Sequence, residues 1–174
     1  LMALAGAAKQ RGHEVEILDL SYRRYDPALV ARTIEQVRPE VVGITATTPL
    51  MNQARDISFL VRDRFPGTTV VAGGAHPSAL PAESMAESAF DLIATGEADT
   101  VIADLLDGRP AHEVPGVWWR DGEQVGANPQ APLFDDLDLL PMPAWEDYPL
   151  EGNKKVTRMI ARQTPVTTME WSRG

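Results

Sequence analysis

The sequence contains no cysteine among its 174 residues. A chain without thiols forms no disulfide, offers no thiolate ligand to a metal and has no cysteine nucleophile. Disulfides are a feature of oxidising compartments, so this composition fits a protein of the reducing cytoplasm. We therefore expect a cytoplasmic location.

Positive charge and long apolar runs are also scarce. The 16 basic residues are outnumbered by 25 acidic ones, which gives a formal net charge of −9. Nucleic acids and anionic membranes attract basic surfaces, so this balance disfavours both as partners. No apolar run approaches the roughly 20 residues that span a bilayer. We expect a small molecule or other protein domains as partners, and no membrane span.

Apolar residues make up 44% of the chain, which is enough for one substantial core. Up to residue 108, helical and strand patterns alternate with short links. The patterns predict helices at 1–11, 27–38, 51–65, 81–88 and 100–106, and strands at 15–18, 41–45, 69–72 and 91–95. This alternation is typical of right-handed βαβ units, and it predicts an α/β fold with a parallel, doubly wound sheet.

The pattern changes after Gly108. Residues 117–120 and 124–125 flank an Asp-Gly turn, which predicts a β-hairpin. Residues 128–149 are rich in proline and acidic side chains, which indicates an extended linker over a surface. We predict three regions: an α/β domain over 1–108, the hairpin and linker over 109–150, and the start of a further domain over 151–174.

Small and polar residues follow three of the predicted strands, at 45–48, 73–77 and 95–97. Ligands of open α/β sheets bind at the carboxyl ends of the strands, and glycines allow a bulky ligand to approach the backbone closely. The alternatives are that the paired glycines only form a tight turn and that the threonines cap the next helix. Our candidate binding residues are Thr45, Thr47, Thr48, Gly73, Gly74, His76, Gly96 and Glu97.

Several familiar sites are missing. The glycines do not follow the dinucleotide-binding pattern, and there is no Walker loop. The three histidines have no partner at a metal-ligand spacing, so we predict no metal site formed by side chains. We interpret His13 as a helix-end cap, His112 as a surface residue and His76 as part of the ligand crevice.

Four stretches together carry a resemblance to a known family: 11–19, 43–45, 73–77 and 96–100, with Asp91 before the last. They resemble the cobalamin-binding N-terminal domain of cobalamin-dependent radical S-adenosylmethionine enzymes, including the anaerobic magnesium-protoporphyrin monomethyl ester cyclase-like group. The hairpin and the linker at 137–143 also resemble this family. Residues 172–174 resemble those that precede the three-cysteine motif of the radical domain, so the likeness covers essentially the whole chain.

The resemblance implies a flavodoxin-like (Rossmann-like) sheet with the corrin ring over the strand ends and the eight candidate residues around cobalamin. It implies that the intact protein has a downstream radical domain with a [4Fe-4S] cluster and S-adenosylmethionine. That protein would be a methyltransferase or an anaerobic oxidative cyclase acting on a tetrapyrrole, and this fragment alone would not be catalytic. The Asp-x-His-x-x-Gly motif that supplies a lower cobalt ligand in methionine synthase and the mutases is absent, as in many radical-enzyme members, so we expect no histidine ligand to cobalt. The alternative is a non-catalytic docking domain that has lost the cofactor.

The resemblance also predicts a gap in the sheet. In the flavodoxin-like order 2-1-3-4-5, the first strand lies between the second and third, here 15–18 and 41–45, and this sequence supplies none. We expect the gap to be filled by an upstream strand, by direct pairing of its two neighbours, or by residues 166–170 of the same or a neighbouring chain. Filling by a neighbouring chain would produce a homodimer.

Overall fold

The fold is described from a computed structural model, which describes residues 1–21, 24–133 and 136–148. The helices are α1 (Met2–Gln10), α2 (Pro27–Val37), α3 (Met51–Arg64), α4 (Ala75–Ala79), α5 (Pro81–Ala86) and α6 (Asp99–Leu106). The strands are β1 (Val41–Thr45), β2 (Thr69–Gly73), β3 (Leu92–Ala94), β4 (Val117–Asp121) and β5 (Gln124–Ala127). Short 3₁₀ turns lie at Thr48–Leu50, Ala111–Glu113, Leu137–Leu139 and Trp145–Asp147.

The five strands form one sheet in the order β1-β2-β3-β4-β5. The first three are parallel, with Val42 opposite Val70 and Ala72 opposite Ile93. This arrangement confirms the predicted α/β class with parallel strands. The hairpin β4-β5 continues the same sheet, because β4 pairs antiparallel with β3. The division into three regions stays a prediction.

Helices cover the sheet on both faces. Val70 and Ala72 of β2 pack in a core cluster with residues of α2 and α3, such as Ile34 and Val61. Ala94 of β3 belongs to a second cluster with Val101 of α6. Successive strand residues point to opposite faces, so the two clusters lie on opposite sides of the sheet.

The strand predicted at 15–18 is wrong, because the structure shows no strand there and β1 does not pair with this segment. Leu18 and Leu20 instead pack, partly buried, against the core cluster of α2 and α3. An apolar run needs a hydrogen-bonding neighbour to become a strand, and the described residues provide none here. The segment 166–170, which we considered as a replacement for the missing strand, lies outside the described residues.

Consequently β1 forms one edge of the sheet in the described structure. Gly43, in the middle of β1, is exposed, and a Cβ added there would meet no atom within 4 Å. The outer backbone groups of β1 can therefore hydrogen-bond to water, which removes the cost of leaving them unpaired.

The predicted linker lies over α1. A Cβ added at Gly6 would collide with the carbonyl oxygen of Met142, and Ala144 N donates to Met2 O at 3.0 Å. Lys9 pairs with Glu146 at 3.3 Å and with Asp147. These contacts confirm that the linker crosses a surface, and they show that this surface is α1.

Within the described part of the chain, no helix combines the length and apolarity required to cross a bilayer.

Candidate functional site at the carboxyl ends of the parallel strands

Three loops meet at one end of the sheet, because β1, β2 and β3 are parallel and their carboxyl ends lie side by side there. They are the segments at 45–48, 73–77 and 95–97 that the sequence singled out. Backbone hydrogen bonds join the first two: Ala46 N donates to Gly73 O at 3.0 Å, and His76 N donates to Ala46 O at 3.2 Å. The carboxyl-end site is therefore a connected surface that neighbouring strands build together.

A side-chain contact strengthens the junction between the β1 and β2 loops. His76 Nδ1 lies 3.2 Å from Thr48 Oγ1, within hydrogen-bonding distance. The tautomer of the imidazole determines which atom donates. His76 belongs to α4, a single-turn helix that begins inside the loop predicted at 73–77. We name this contact the Thr48–His76 bridge.

The two adjacent glycines have different surroundings. Gly74 has a φ of 93°, and a Cβ there would lie 2.6 Å from Thr45 Oγ1 and 2.9 Å from Ala46 O. A Cβ at Gly73 would meet only Ala94 O, at an ordinary 3.4 Å. Gly74 is thus required for packing the two loops together, which agrees with its interpretation as a tight turn. Gly73 has no such requirement.

The third loop is attached through Ser78, which is not among the residues predicted from the sequence. Ser78 Oγ, on α4, accepts a hydrogen bond from Gly96 N at 3.1 Å. Gly96 is exposed with a φ of 74°, and Glu97 beside it is half-buried. Ser78 could be placed beside the β3 loop from the sequence only if a helix were predicted directly after the glycine pair.

The threonines do not act as simple helix caps. Thr47 is the N-cap of the turn Thr48–Leu50, yet its side chain makes no capping hydrogen bond. Thr48 contacts His76, and α3 begins after Leu50, which is also without a side-chain cap. Thr45, Thr47 and Thr48 are all exposed at the carboxyl ends of the strands.

The other two histidines lie away from this edge. His13 lies at the end of α1, as interpreted, since its backbone N donates to Ala8 O at 3.2 Å. Its Nε2 also pairs with Asp107 Oδ1 at 3.0 Å, beyond the end of α6. His112 is exposed, as predicted, and its ring meets Trp119 edge-on with centroids 6.2 Å apart. Among the described residues, no group of three potential metal ligands is close enough to hold an ion.

The carboxyl-end site has the chemistry of binding. It offers hydroxyls, an imidazole and backbone that a ligand can approach at Gly73.

A pocket of about 430 Å³ lies elsewhere, at the amino ends of β1 and β2. The pocket lies at the opposite end of the strands from the three loops. Its lining residues are Ile34, Glu35, Arg38, Pro39, Phe65, Pro66, Gly67 and Thr68, none of which is a candidate site residue. In open α/β sheets, ligands bind at the carboxyl ends of the strands. The polar loops at those ends therefore indicate the binding site better than the volume of this pocket does.

A solved structure shares the fold. The radical S-adenosylmethionine methyltransferase TsrM from Kitasatospora setae, solved with cobalamin and a [4Fe-4S] cluster bound, superposes with a TM-score of 0.67. The identity is 23%, over 82% of this chain and 28% of that one. This likeness supports the flavodoxin-like fold.

Curated relatives match most of the chain. An uncharacterized methyltransferase of Pyrococcus horikoshii is 27% identical over 88% of this chain and 34% of its own length. The anaerobic magnesium-protoporphyrin IX monomethyl ester cyclase of Cereibacter sphaeroides is 24% identical, over 94% and 29% respectively. The cobalamin-dependent radical SAM methyltransferase TokK of Streptomyces tokunonensis is 25% identical, over 82% and 23%. The chain therefore spans about a third or less of these relatives.

The family itself is established by a domain model. The model of the B12 binding domain matches residues 1–106, which include α1 to α6 and all three loops of the carboxyl-end site. The match covers more than half of the chain, and it confirms the family resemblance that the sequence motifs carry. The chain belongs to the B12-binding domain family, whose cofactor is cobalamin.

Proposed function

We propose that this chain is the cobalamin-holding part of a radical S-adenosylmethionine enzyme, and that it holds the cofactor at the carboxyl-end site. The observation that carries the proposal is the junction of three polar, glycine-containing loops at one edge of a B12-binding domain. Ligands of doubly wound sheets bind at this edge.

The residues present there fit the cofactor. Cobalamin is a large ligand with an apolar macrocycle and many amide side chains, so it needs both close backbone approach and hydrogen-bonding groups. Gly73, which has no side chain, allows the close backbone approach. The hydroxyl of Thr47, which makes no capping hydrogen bond, supplies a hydrogen-bonding group. We assign contacts with cobalamin to Thr45, Thr47, Thr48, Gly73, His76, Gly96 and Glu97, with Gly74 shaping the loops.

The chain's own residues bind and orient the cofactor and keep water from one of its faces. When bound, cobalamin supplies the cobalt-centred chemistry of methyl-group carriage. The [4Fe-4S] cluster and S-adenosylmethionine belong, in this proposal, to a radical domain of the intact protein. The relatives' names support methyl transfer or anaerobic oxidative cyclisation of a tetrapyrrole as its reaction. A cytoplasmic location stays a prediction from composition.

Reconstitution with hydroxocobalamin followed by gel filtration tests the proposal. We expect corrin absorbance to travel with the full chain, and Gly73→Val to remove it because the branched side chain takes space at the strand end. Gly67→Val is the matched control, since a Cβ there meets no atom within 4 Å and the residue lies at the opposite edge.

If the unaltered chain elutes without corrin, the alternative of a docking domain that has lost the cofactor replaces the proposal. If corrin binds and Gly73→Val binds equally well, the carboxyl-end placement is wrong. The elution volume also tests the homodimer that would form if residues 166–170 of a neighbouring chain filled the predicted gap in the sheet.

A further inference from the structure

The most exposed large apolar side chains among the residues that the structure describes all belong to the linker. Leu133, Leu139 and Met142 are 72%, 70% and 78% exposed, and the next, Leu1, is 51% exposed. Single exposed apolar side chains are common on protein surfaces, whereas several in one segment indicate an interaction surface.

The backbone beneath two of these side chains is fixed. Ala144, two residues after Met142, is buried, and its N donates to Met2 O at 3.0 Å. The carbonyl of Met142 occupies the space beside Gly6 of α1. The linker is thus packed on α1 while the side chains of Leu139 and Met142 remain in solvent. We call the surface formed by these two side chains the linker face.

A segment of the same chain has a composition complementary to the linker. Residues 151–174 contain five of the 16 basic residues and two of the 25 acidic ones, which gives a net charge of +3 against −12 for residues 1–150. The linker at 128–149 contains five acidic residues and no basic one. Residues 151–174 also include three apolar side chains between their basic ones, namely Val156, Met159 and Ile160.

This segment follows the linker directly, with eight residues between Met142 and Glu151. A short covalent connection keeps the effective concentration of the segment at the linker face high. We propose that residues 151–174 of the same chain pack against the linker face, with their apolar side chains on Leu139 and Met142. This packing fixes the position of the region after the linker relative to α1.

The apolar contacts and the charges have different roles in this packing. Burial of Leu139 and Met142 removes apolar surface from water, which stabilises the docked segment. Single exposed ion pairs contribute little to stability. The opposite charges therefore select this basic segment as the occupant, because the rest of the chain is acidic and is repelled by the linker. None of these residues belongs to the carboxyl-end site, so the inference does not depend on cobalamin.

Limited trypsin digestion of the full chain tests the proposal, with mass spectrometry to locate the cuts. Trypsin cleaves after lysine and arginine, and the segment offers Lys154, Lys155, Arg158 and Arg162. Cleavage of a docked segment follows the population of its released form. We expect the double variant Leu139→Ser with Met142→Ser to be cut at these sites about tenfold faster than the unaltered chain, since it loses the apolar contact.

Two further double variants serve as controls. Leu139→Met with Met142→Leu keeps the apolar contact, so we expect cleavage at the rate of the unaltered chain. Val37→Ser with Val125→Ser removes two exposed apolar side chains from α2 and β5, outside the linker, and should also leave the rate unchanged. Thermal unfolding of every variant establishes that the fold is intact.

The outcomes decide the proposal. If the unaltered chain is cut at these sites as fast as the double serine variant, the linker face holds no segment and the proposal is refuted. It is also refuted if either control variant is cut as fast as the serine variant, since the effect is then not specific to the apolar contact. Protection that increases with protein concentration would assign the linker face to a second copy of the chain and would overturn the intramolecular packing.

Discussion

Gly74 adopts a φ of 93°, and the space beside its Cα is occupied by Thr45 and Ala46 of the neighbouring loop. Gly73, one residue earlier, is the last residue of β2 and has only Ala94 O within contact distance of an added Cβ. The sequence treated both glycines alike, as room for a ligand or as a tight turn. The structure separates a collision at Gly74 from an ordinary van der Waals contact at Gly73, because a Cβ clash depends on atoms that lie far away in sequence.

At this scale we predict that Gly74→Ala lowers the free energy of unfolding by about 1–3 kcal/mol, from a strained backbone plus a collision. Gly73→Ala should change it by less than about 1 kcal/mol, since the contact is ordinary. Urea unfolding measures both. Gly96→Ala is the control, since it has a positive φ of 74° but no atom within 4 Å. Equal decreases in the free energy of unfolding for Gly74→Ala and Gly96→Ala would show that the collision at Gly74 contributes nothing.

Among the elements, α1 is held by charges at its carboxyl end. Asp107, just after α6, pairs with His13 at 3.0 Å and with Arg11. The hydrogen bond from His13, followed by the charge of Arg11, holds the pKa of the Asp107 carboxyl below its ordinary value of 3.8. The linker contacts α1 through Gly6 and Lys9, so two attachments position this helix.

The lowered pKa of Asp107 predicts a pH dependence of stability. The folded state binds this proton more weakly than the unfolded state, so the stabilisation is present above pH 3.8 and is lost as the pH falls through the lower folded pKa. Asp107→Asn should therefore lower the Tm at neutral pH, with the difference from the unaltered chain disappearing in acid. Thermal unfolding over a pH series measures this.

Asp138→Asn is the control for the loss of one exposed carboxylate, because no ion pair of Asp138 is found among the described residues. An Asp107→Asn difference that persists unchanged in acid would contradict the assignment to the ionised carboxylate.

The whole sheet has two different edges. On one side the hairpin β4-β5 adds two strands, so that β3 lies in the interior with partners on both sides. On the other side β1 has a described partner only in β2. Because a parallel strand alternates its hydrogen bonds between neighbours, half of the amides of an edge strand point away from the sheet.

We predict that about half of the β1 amides exchange with solvent much faster than those of β2, which have strands on both sides. Amide hydrogen exchange of the full chain, followed by NMR, measures the two sets. Uniform protection across β1 at the level of β2 would reveal an additional strand on this edge and would contradict the open edge described here.

The sequence by itself determined the elements whose patterns are local. Helical spacing and breakers located α1, α2, α3 and α6, and apolar runs ended by small residues located β1, β2 and β3. It also determined the family, since the same loops that follow these strands carry the motifs of a B12-binding domain. Parallel strands place their carboxyl ends together, so the grouping of the three loops could be predicted without coordinates.

Only the tertiary structure decided the features that depend on a partner. Residues 15–18 have the composition of a strand, yet a strand exists only where another backbone completes its hydrogen bonds. The hairpin joins the sheet because β3 has a free edge for β4, and Ser78 meets Gly96 because the one-turn helix α4 carries it there. Gly74 differs from Gly73, and His13 pairs with Asp107, for the same reason: each contact joins residues whose distance in sequence leaves no local signal.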